Sequence, residues 1–225
     1  MNKLITHHLG MGDMIVHNGL VRYIYNRDKS KYDNIYLLCY EHYADNVLRM
    51  YSDIDLKLLT VKNDNEVYDK VKNFGGEQED FHLNDEQIRQ YFLNDGDDIF
   101  YTSKGYDKSL RKKFYIFRDI KKENEVYKNI VGNLDKYIFV HDDIERGFKI
   151  TQHHNDLPVI RIPKDIPIFD TLKILECANE CHVISSAFVC LLQSMPSLNK
   201  NVYVHTTVRN KDLETYFKRD GLKTI

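Results

Sequence analysis

A short segment near the start of the chain combines residue types that bind phosphate or move protons. It reads His7-His8-Leu9-Gly10-Met11-Gly12-Asp13. Its two glycines can bring the backbone close to a ligand, because they carry no side chain. Asp13 places a carboxylate at the start of a predicted helix, where unpaired N–H groups favour negative charge. This segment is therefore the first candidate for a ligand site, although such an acid also occurs simply as a stabiliser of a helix start.

The elements around this segment follow from the hydrophobic pattern. Leu4 and Ile5 precede it as a short apolar run. After it, apolar residues recur at helical spacing, at Val16, Leu20, Tyr23 and Ile24. The pattern predicts a strand, a glycine turn and an amphipathic helix, in that order.

Two common phosphate-binding motifs also begin with a glycine-containing turn of this kind. A P-loop ends in Gly-Lys-Ser/Thr, whereas this chain has Val16-His17-Asn18 nearby. A dinucleotide-binding turn has a third glycine at position 15, where this chain has Ile15. Glu41 follows the next predicted strand, where a ribose-binding acid could lie. The dinucleotide interpretation therefore stays open, and the P-loop is excluded.

The pattern Gly10-x-Gly12-Asp13 at the first strand–helix turn resembles the N-terminal signature of GT-B glycosyltransferases, especially the heptosyltransferase-like families. The resemblance implies that Asp13 is the base acting on the acceptor hydroxyl.

The remaining chain alternates apolar runs with helical patterns, which favours parallel α/β sheets. Predicted strands lie at 34–40, 56–61, 98–102, 137–140, 158–162, 181–184 and 201–205. We predict a polar turn at 25–30, an acidic surface loop at 76–80 and a charged helix at 118–131 that bridges the halves. The expected fold is two Rossmann-like parallel-sheet halves facing a cleft, a compact GT-B-like plan. Residues 1–120 would form the acceptor-side domain and residues 121–225 the nucleotide-sugar-binding domain.

Ligands of open α/β sheets collect at the carboxyl ends of the strands, where the second half carries several polar residues. The segment 176–188 resembles the donor-side region of GT-B glycosyltransferases, in which a serine- or glycine-rich helix start binds the nucleotide diphosphate. Backbone N–H groups and hydroxyls at a helix start suit a pyrophosphate. The expected donor- or phosphate-binding residues are Gly10, Gly12, His141, Arg146, Lys149, Ser185 and Ser186. The alternative is that the serines only cap a helix and that the cations are surface charges.

Three further residue patterns give weaker evidence for a functional site. The segment 106–117 mixes basic and aromatic residues, which is typical of a nucleic-acid surface or, as we favour here, of an amphipathic helix with a solvated basic face. Cys177-x-x-x-Cys181-His182 offers three local zinc ligands without a fourth, so we expect no metal site. Asp53-Ile54-Asp55 precedes a strand and is interpreted as a turn, as are the acid pairs at 97–98 and 142–143.

Composition limits the classes of function. The chain has 225 residues with a formal net charge of −2, so no overall positive field recruits nucleic acid. Four scattered cysteines favour reduced thiols, and neither a signal pattern nor a membrane-spanning run is present. We therefore expect a cytoplasmic protein without a transmembrane segment.

The leading hypothesis is a metal-independent, inverting glycosyltransferase. A nucleotide-sugar would be the donor and co-substrate, without another cofactor, and a glycan or other hydroxyl compound would be the acceptor. The alternatives are a Rossmann-type dinucleotide-dependent enzyme and a non-catalytic binding module.

Overall fold

The computed structural model describes residues 1–151, 153, 156–198 and 200–225, leaving aside the side chains at 94 and 95. The chain divides into two compact units. The first comprises Met1–Arg89 and Asp97–Phe117, and the second comprises Gln90–Gly96 and Arg118–Ile225. Residues 90–96 thus belong to the second unit although they lie in the first half of the sequence.

The first unit contains a parallel sheet of four strands in the order β3-β2-β1-β4. Its strands are β1 (Asn2–Thr6), β2 (Asn34–Tyr40), β3 (Leu56–Val61) and β4 (Gly76–Asp80). Its helices are α1 (Met11–Asp28), α2 (Ala44–Tyr51), α3 (Asp64–Lys72), α4 (Asp85–Gln90, whose last residue belongs to the second unit) and α5 (Ile99–Thr102).

The strand–turn–helix prediction for the start of the chain is confirmed. β1 lies between β2 and β4, and its Leu4 and Ile5 are fully buried. The predicted apolar face of α1 is buried except at Tyr23, which is exposed. Helix α1 continues through Asp28, so the predicted polar turn at 25–30 is wrong at its start.

The predicted acidic surface loop at 76–80 is wrong, because these residues form the edge strand β4. The strand is mostly exposed and carries no apolar alternation from which it could be predicted. Its Glu79 forms an ion pair with the fully buried Lys3 of β1, at 2.6 Å. The acidic residues of this segment therefore hold the edge strand to the centre of the sheet.

Two further predictions in the first unit are wrong. The predicted strand at 98–102 is helix α5, since a short buried apolar run fits either structure. Its Tyr101 hydroxyl donates a hydrogen bond to the carbonyl oxygen of Val16 in α1. The segment 106–117 forms a 3₁₀ helix at Lys108–Lys113 instead of an amphipathic α-helix, and its Arg111 is buried.

The second unit contains a parallel sheet of five strands in the order β6-β5-β7-β8-β9. Its strands are β5 (Ile138–His141), β6 (Val159–Ile160), β7 (Glu180–Val183), β8 (Val202–Val204) and β9 (Lys223–Thr224). Its helices are α6 (Ile120–Ile130), α7 (Leu172–Cys177), α8 (Ala187–Ser194) and α9 (Glu214–Arg219), with a π-helical turn at Tyr91–Asp95. The predicted α/β class with two parallel sheets is confirmed.

Among the described residues, no helix is both long enough and apolar enough to cross a membrane.

Candidate active site

The turn between β1 and α1 places Asp13 in the first turn of the helix, with its carboxylate against Gly10 at the N-cap. Gly10 precedes the helix with extended backbone angles (φ −63°, ψ 151°), so the turn does not use the left-handed region that favours glycine. The absence of a side chain here instead leaves room for the Asp13 carboxylate, because a Cβ atom on Gly10 would lie 2.6 Å from Asp13 Oδ2 and displace it. The carboxylate therefore folds back over Gly10, while Gly12 lies half-buried in the same helical turn.

Asp13 is poised to exchange a proton near neutral pH. Burial raises the pKa of its carboxyl from 3.8 to about 6, and the negative charge of Asp97 raises it further in the same direction. The backbone groups of Asp13 and Gly10 and the charge of His82 oppose the shift. A carboxyl with a pKa near the working pH is the type of group that serves as a general base.

Asp97 is held beside Asp13 by a buried ion pair. Its carboxylate receives a hydrogen bond from Arg111 at 2.9 Å, and both side chains are less than a tenth exposed. The sequence predicted Asp97 as a turn acid and Arg111 as a solvated charge. The prediction for Arg111 is wrong, because the 3₁₀ helix at 108–113 packs on α1 and carries Arg111 inward. Asp97 does lie in a turn, the 3₁₀ segment Gly96–Asp98, and its side chain is buried there.

Two buried histidines stack beneath this turn, a feature that the sequence did not predict. The rings of His7 and His17 lie 4.2 Å apart and almost parallel, and both side chains are inaccessible to solvent. The ring Nδ1 of His7 contacts the carbonyl oxygen of His8, and that of His17 contacts the carbonyl oxygen of Asp13. Burial lowers the pKa of His7 to about 4 and that of His17 well below 6.5. Both rings are therefore neutral at pH 7 and donate through Nδ1.

Two further histidines lie at the carboxyl ends of the paired strands β1 and β4. The ring of His8 meets the ring of His82 edge to face, with centroids 5.0 Å apart. His82 Nδ1 contacts Asp80 Oδ1 at 2.5 Å, and the Thr6 hydroxyl donates to the same oxygen at 2.7 Å. The strand register that aligns Thr6 with Asp80 thus brings these groups together.

In the second unit, the neighbouring strands β5, β7 and β8 pair in parallel, so their carboxyl ends lie at the same edge of the sheet. After β5, the chain forms a small hairpin closed by backbone bonds between Asp143 and Phe148, with Gly147 in the left-handed region. His141, at the end of β5, packs against Phe188 with ring centroids 4.3 Å apart, and burial lowers its pKa to about 4. His141 is therefore neutral at pH 7.

Two guanidinium groups contact the Phe148 ring. Arg146 lies 5.9 Å from its centroid, is exposed and forms an ion pair with Asp143 at 2.5 Å. Arg209, in the loop after β8, lies 5.4 Å from the same centroid and forms no ion pair with a described residue. Burial and the charge of Arg146 lower the pKa of Arg209. The sequence reasoning missed Arg209, although it follows a predicted strand at its carboxyl end.

The two serines lie at the start of α8, but neither caps the helix through its side chain. Ser186 occupies the N-cap position, yet its hydroxyl donates to the carbonyl oxygen of Ile184 at 3.1 Å. The Ser185 hydroxyl accepts a hydrogen bond from Asn210 at 3.1 Å. The predicted cap is therefore confirmed in position at Ser186, but the serine hydroxyls accept no hydrogen bond from the backbone N–H groups at this helix start. Lys149 is exposed, and its side chain pairs with no described residue.

The three residues considered as zinc ligands lie in different surroundings. Cys177 is exposed, Cys181 is buried with its thiol directed to the carbonyl oxygen of Leu175, and His182 contacts Glu180 and His205. Among the residues that the structure describes, no three histidine, cysteine or acidic side chains are arranged as metal ligands. Asp53 of the Asp-x-Asp sequence lies in a turn and forms an ion pair with Arg22.

Comparisons with known proteins bear on the fold. No protein-family model matches the chain, and no curated protein matches it. A solved structure, the glycosyl transferase family 9 protein from Veillonella parvula, superposes with a TM-score of 0.58 at 10% sequence identity. The match covers 90% of this chain and 80% of that one. This chain shares the fold of that glycosyltransferase structure.

A second solved structure, heptosyltransferase WaaC from E. coli with ADP, is also similar. The match covers 98% of each chain at 10% sequence identity, with a TM-score of 0.43, which is too low to show a shared fold.

Proposed function

We propose that the protein is a glycosyltransferase that moves a sugar from a nucleotide-sugar to an acceptor hydroxyl. The first unit would bind the acceptor and the second unit the donor. The observation that carries the proposal is Asp13, a partly buried carboxylate at the start of α1 whose pKa is raised to about 6. The fold shared with a glycosyltransferase structure supports the same class of reaction.

The proposed chemistry is a single displacement. The acceptor hydroxyl gives its proton to the Asp13 carboxylate as its oxygen forms a bond to the anomeric carbon. The bond from that carbon to the diphosphate oxygen breaks, and the electron pair leaves with the nucleoside diphosphate. Attack opposite the leaving group inverts the anomeric carbon. In this proposal protein cations, and no metal ion, compensate the charge on the leaving group.

The proposed donor site lies at the carboxyl ends of β5, β7 and β8. Arg146 and Arg209 would neutralise the diphosphate, since both contact Phe148 and Arg209 has no carboxylate paired with it among the described residues. The backbone at the start of α8, with Ser185 and Ser186, would donate hydrogen bonds to the same group. Four predicted donor- or phosphate-binding residues stay predictions without a contact that supports them: Gly10, Gly12, His141 and Lys149.

The test is a thermal-shift panel with GDP, UDP, ADP, CMP and NAD. A ligand at a hundred times its dissociation constant stabilises a protein by about 2.7 kcal/mol, which is readily visible. We expect one nucleoside diphosphate to raise Tm, and Arg209→Ala and Arg146→Ala to remove most of the shift. Lys121→Ala, which removes an exposed cation on α6, is the control. Stabilisation by NAD alone would overturn the proposal in favour of a dinucleotide enzyme.

A further inference from the structure

Two histidine rings meet at the carboxyl edge of the first sheet, in the unit that contains Asp13. His8 lies two residues beyond the end of β1, and His82 lies two residues beyond the end of β4. The two strands pair in parallel with Thr6 opposite Asp80, so the two rings reach the same edge. His8 is half-buried, and the His82 side chain is 38% exposed. Both are therefore open to a ligand, in contrast to the stacked pair His7 and His17.

The hydrogen bonds of the two rings determine which nitrogen of each carries the proton. His8 Nε2 accepts the backbone N–H of Leu83 at 3.2 Å, so the proton of the neutral ring lies on Nδ1. Burial lowers the pKa of His8, which keeps this ring neutral at pH 7. His82 Nδ1 donates to the Asp80 carboxylate, so Nε2 is the nitrogen of this ring that is left for a ligand.

Further hydrogen bonds fix the Asp80 carboxylate as the acceptor for His82 Nδ1. Its Oδ1 also receives the Thr6 hydroxyl at 2.7 Å and the backbone N–H of His82 at 3.2 Å. The edge of the sheet thus presents two ring nitrogens to a ligand, His8 Nδ1 and His82 Nε2. Neither atom has a hydrogen-bond partner among the residues that the structure describes.

We propose that His8 and His82 form a subsite for two neighbouring hydroxyl groups of a sugar acceptor, an inference that rests on the proposed function. A hydroxyl both donates and accepts hydrogen bonds, so one of a vicinal pair can bond to His82 Nε2 while the other bonds to His8 Nδ1. A molecule with a single hydroxyl can satisfy only one of the two rings. The subsite therefore selects a carbohydrate over a simple alcohol as the acceptor.

The charges nearby agree with an uncharged ligand. Asp13 and Asp97 couple electrostatically at this turn, and Asp80 lies directly behind His82. Arg111 is already paired with Asp97 inside the unit. An anionic ligand group would face these carboxylates at a cost, whereas sugar hydroxyls would not.

The first experiment measures binding without any donor. The probes are the methyl glycosides of glucose, galactose and mannose, with propanol as the single-hydroxyl control. NMR signals of the histidine rings are followed and assigned with His8→Phe and His82→Phe, which keep a ring and remove its nitrogens. His42→Phe is the matched control, because His42 is exposed and its ring contacts Tyr40 and Tyr43 instead of His8 or His82.

We expect at least one glycoside to shift the signals of His8 and His82, while propanol leaves them unchanged. Loss of one hydrogen-bonding ring should weaken glycoside binding by about 5- to 10-fold, as expected for one net hydrogen bond. His8→Phe also leaves the Leu83 N–H without its partner, so the more exposed His82→Phe is the decisive variant if the other folds poorly. The inference is overturned if no glycoside shifts these signals, or if His82→Phe binds like the wild type.

A second experiment separates this inference from the proposed function. In a transfer assay, His82→Phe should raise KM for the acceptor and leave the donor dissociation constant unchanged. Transfer with an unchanged acceptor KM would overturn the subsite and leave the glycosyltransferase proposal standing. Glycoside binding at these rings without transfer to any acceptor would overturn the proposed function and leave the subsite standing.

Discussion

Replacing Asp97 by asparagine should make Asp13 a stronger acid. In the wild type the pKa of Asp13 is raised from 3.8 to about 6, and the charge of Asp97 is the second cause after burial. The shift of about 2 units corresponds to about 3 kcal/mol of preference for the protonated form. Asp97→Asn removes the negative charge beside Asp13 and leaves the positive charge of Arg111 without its carboxylate partner. The loss of the negative charge and the unpaired positive charge both favour ionised Asp13.

We expect the pKa of Asp13 to fall by roughly one unit, or about 1.4 kcal/mol, because burial still acts. At about pH 5 the ionised fraction of Asp13 would then rise roughly fivefold. At pH 7 the carboxyl is mostly ionised in both proteins, so little difference is expected there. If Asp13 is the base, the acid limb of the transfer rate shifts to lower pH by the same amount.

The assay is carbon NMR of the side-chain carboxyl groups across pH, with the Asp13 signal assigned by its loss in Asp13→Asn. Asp98→Asn is the matched control, because Asp98 pairs with the exposed Lys108 and is not among the groups that shift Asp13. His82→Phe should move the pKa in the opposite direction, since His82 lowers it in the wild type. An unchanged or higher pKa of Asp13 in Asp97→Asn would refute the electrostatic account of the site.

Two other predictions concern the same turn. Buried His7 has a pKa of about 4 against 6.5 when unfolded, and the pKa of buried His17 is also well below 6.5, so the unfolded chain binds more protons in this range. His7 contributes about 3 kcal/mol to this loss of stability, and the raised pKa of Asp13 offsets about as much. The net fall of Tm as pH drops from 6.5 toward 4 therefore comes from His17 and from His141, whose pKa is also lowered to about 4. A flat Tm in calorimetry would contradict this. Gly10→Ala should displace the Asp13 carboxylate, because the new Cβ would lie 2.6 Å from Oδ2. We expect kcat to fall at least tenfold, which corresponds to an activation free energy higher by about 1.4 kcal/mol. The circular-dichroism spectrum should stay native. A wild-type kcat would show that the position of the carboxylate is unimportant.

The sequence predicted the first turn well, because it contains strong local signals. The apolar residues of β1, the two glycines and the helical spacing in α1 all indicate one strand–turn–helix unit. Strands β2 and β3 have the predicted bounds. The nearly continuous apolar run of β2 marks a strand inside the sheet, and β3 is a shorter apolar run at its edge. The local hydrophobic pattern therefore predicted these elements without information from distant segments.

The failures lie where tertiary contacts decide. Strand β4 is charged and exposed, and only its pairing with β1 and the buried Lys3 makes it a strand. Helix α5 shows the same short apolar run that a buried strand would show. No periodicity separates these cases, because each residue's environment comes from segments distant in the sequence.

The candidate site was predicted only in part for the same reason. Asp13 stood in a recognisable turn, but its neighbours Asp97 and His82 come from distant segments. Arg209 meets Phe148 only because β8 and β5 end at the same edge of the second sheet. Sequence order separates these residues, and the parallel topology brings them together.

The most direct test of the central claim is nucleotide-sugar turnover by the wild type and Asp13→Asn. The two proteins are compared for release of nucleoside diphosphate in the presence of an acceptor, and nucleotide binding is measured in parallel. The account predicts that Asp13→Asn binds the nucleotide like the wild type but loses transfer, because the amide cannot accept the hydroxyl proton. An Asp13→Asn protein that transfers sugar at the wild-type rate would contradict it.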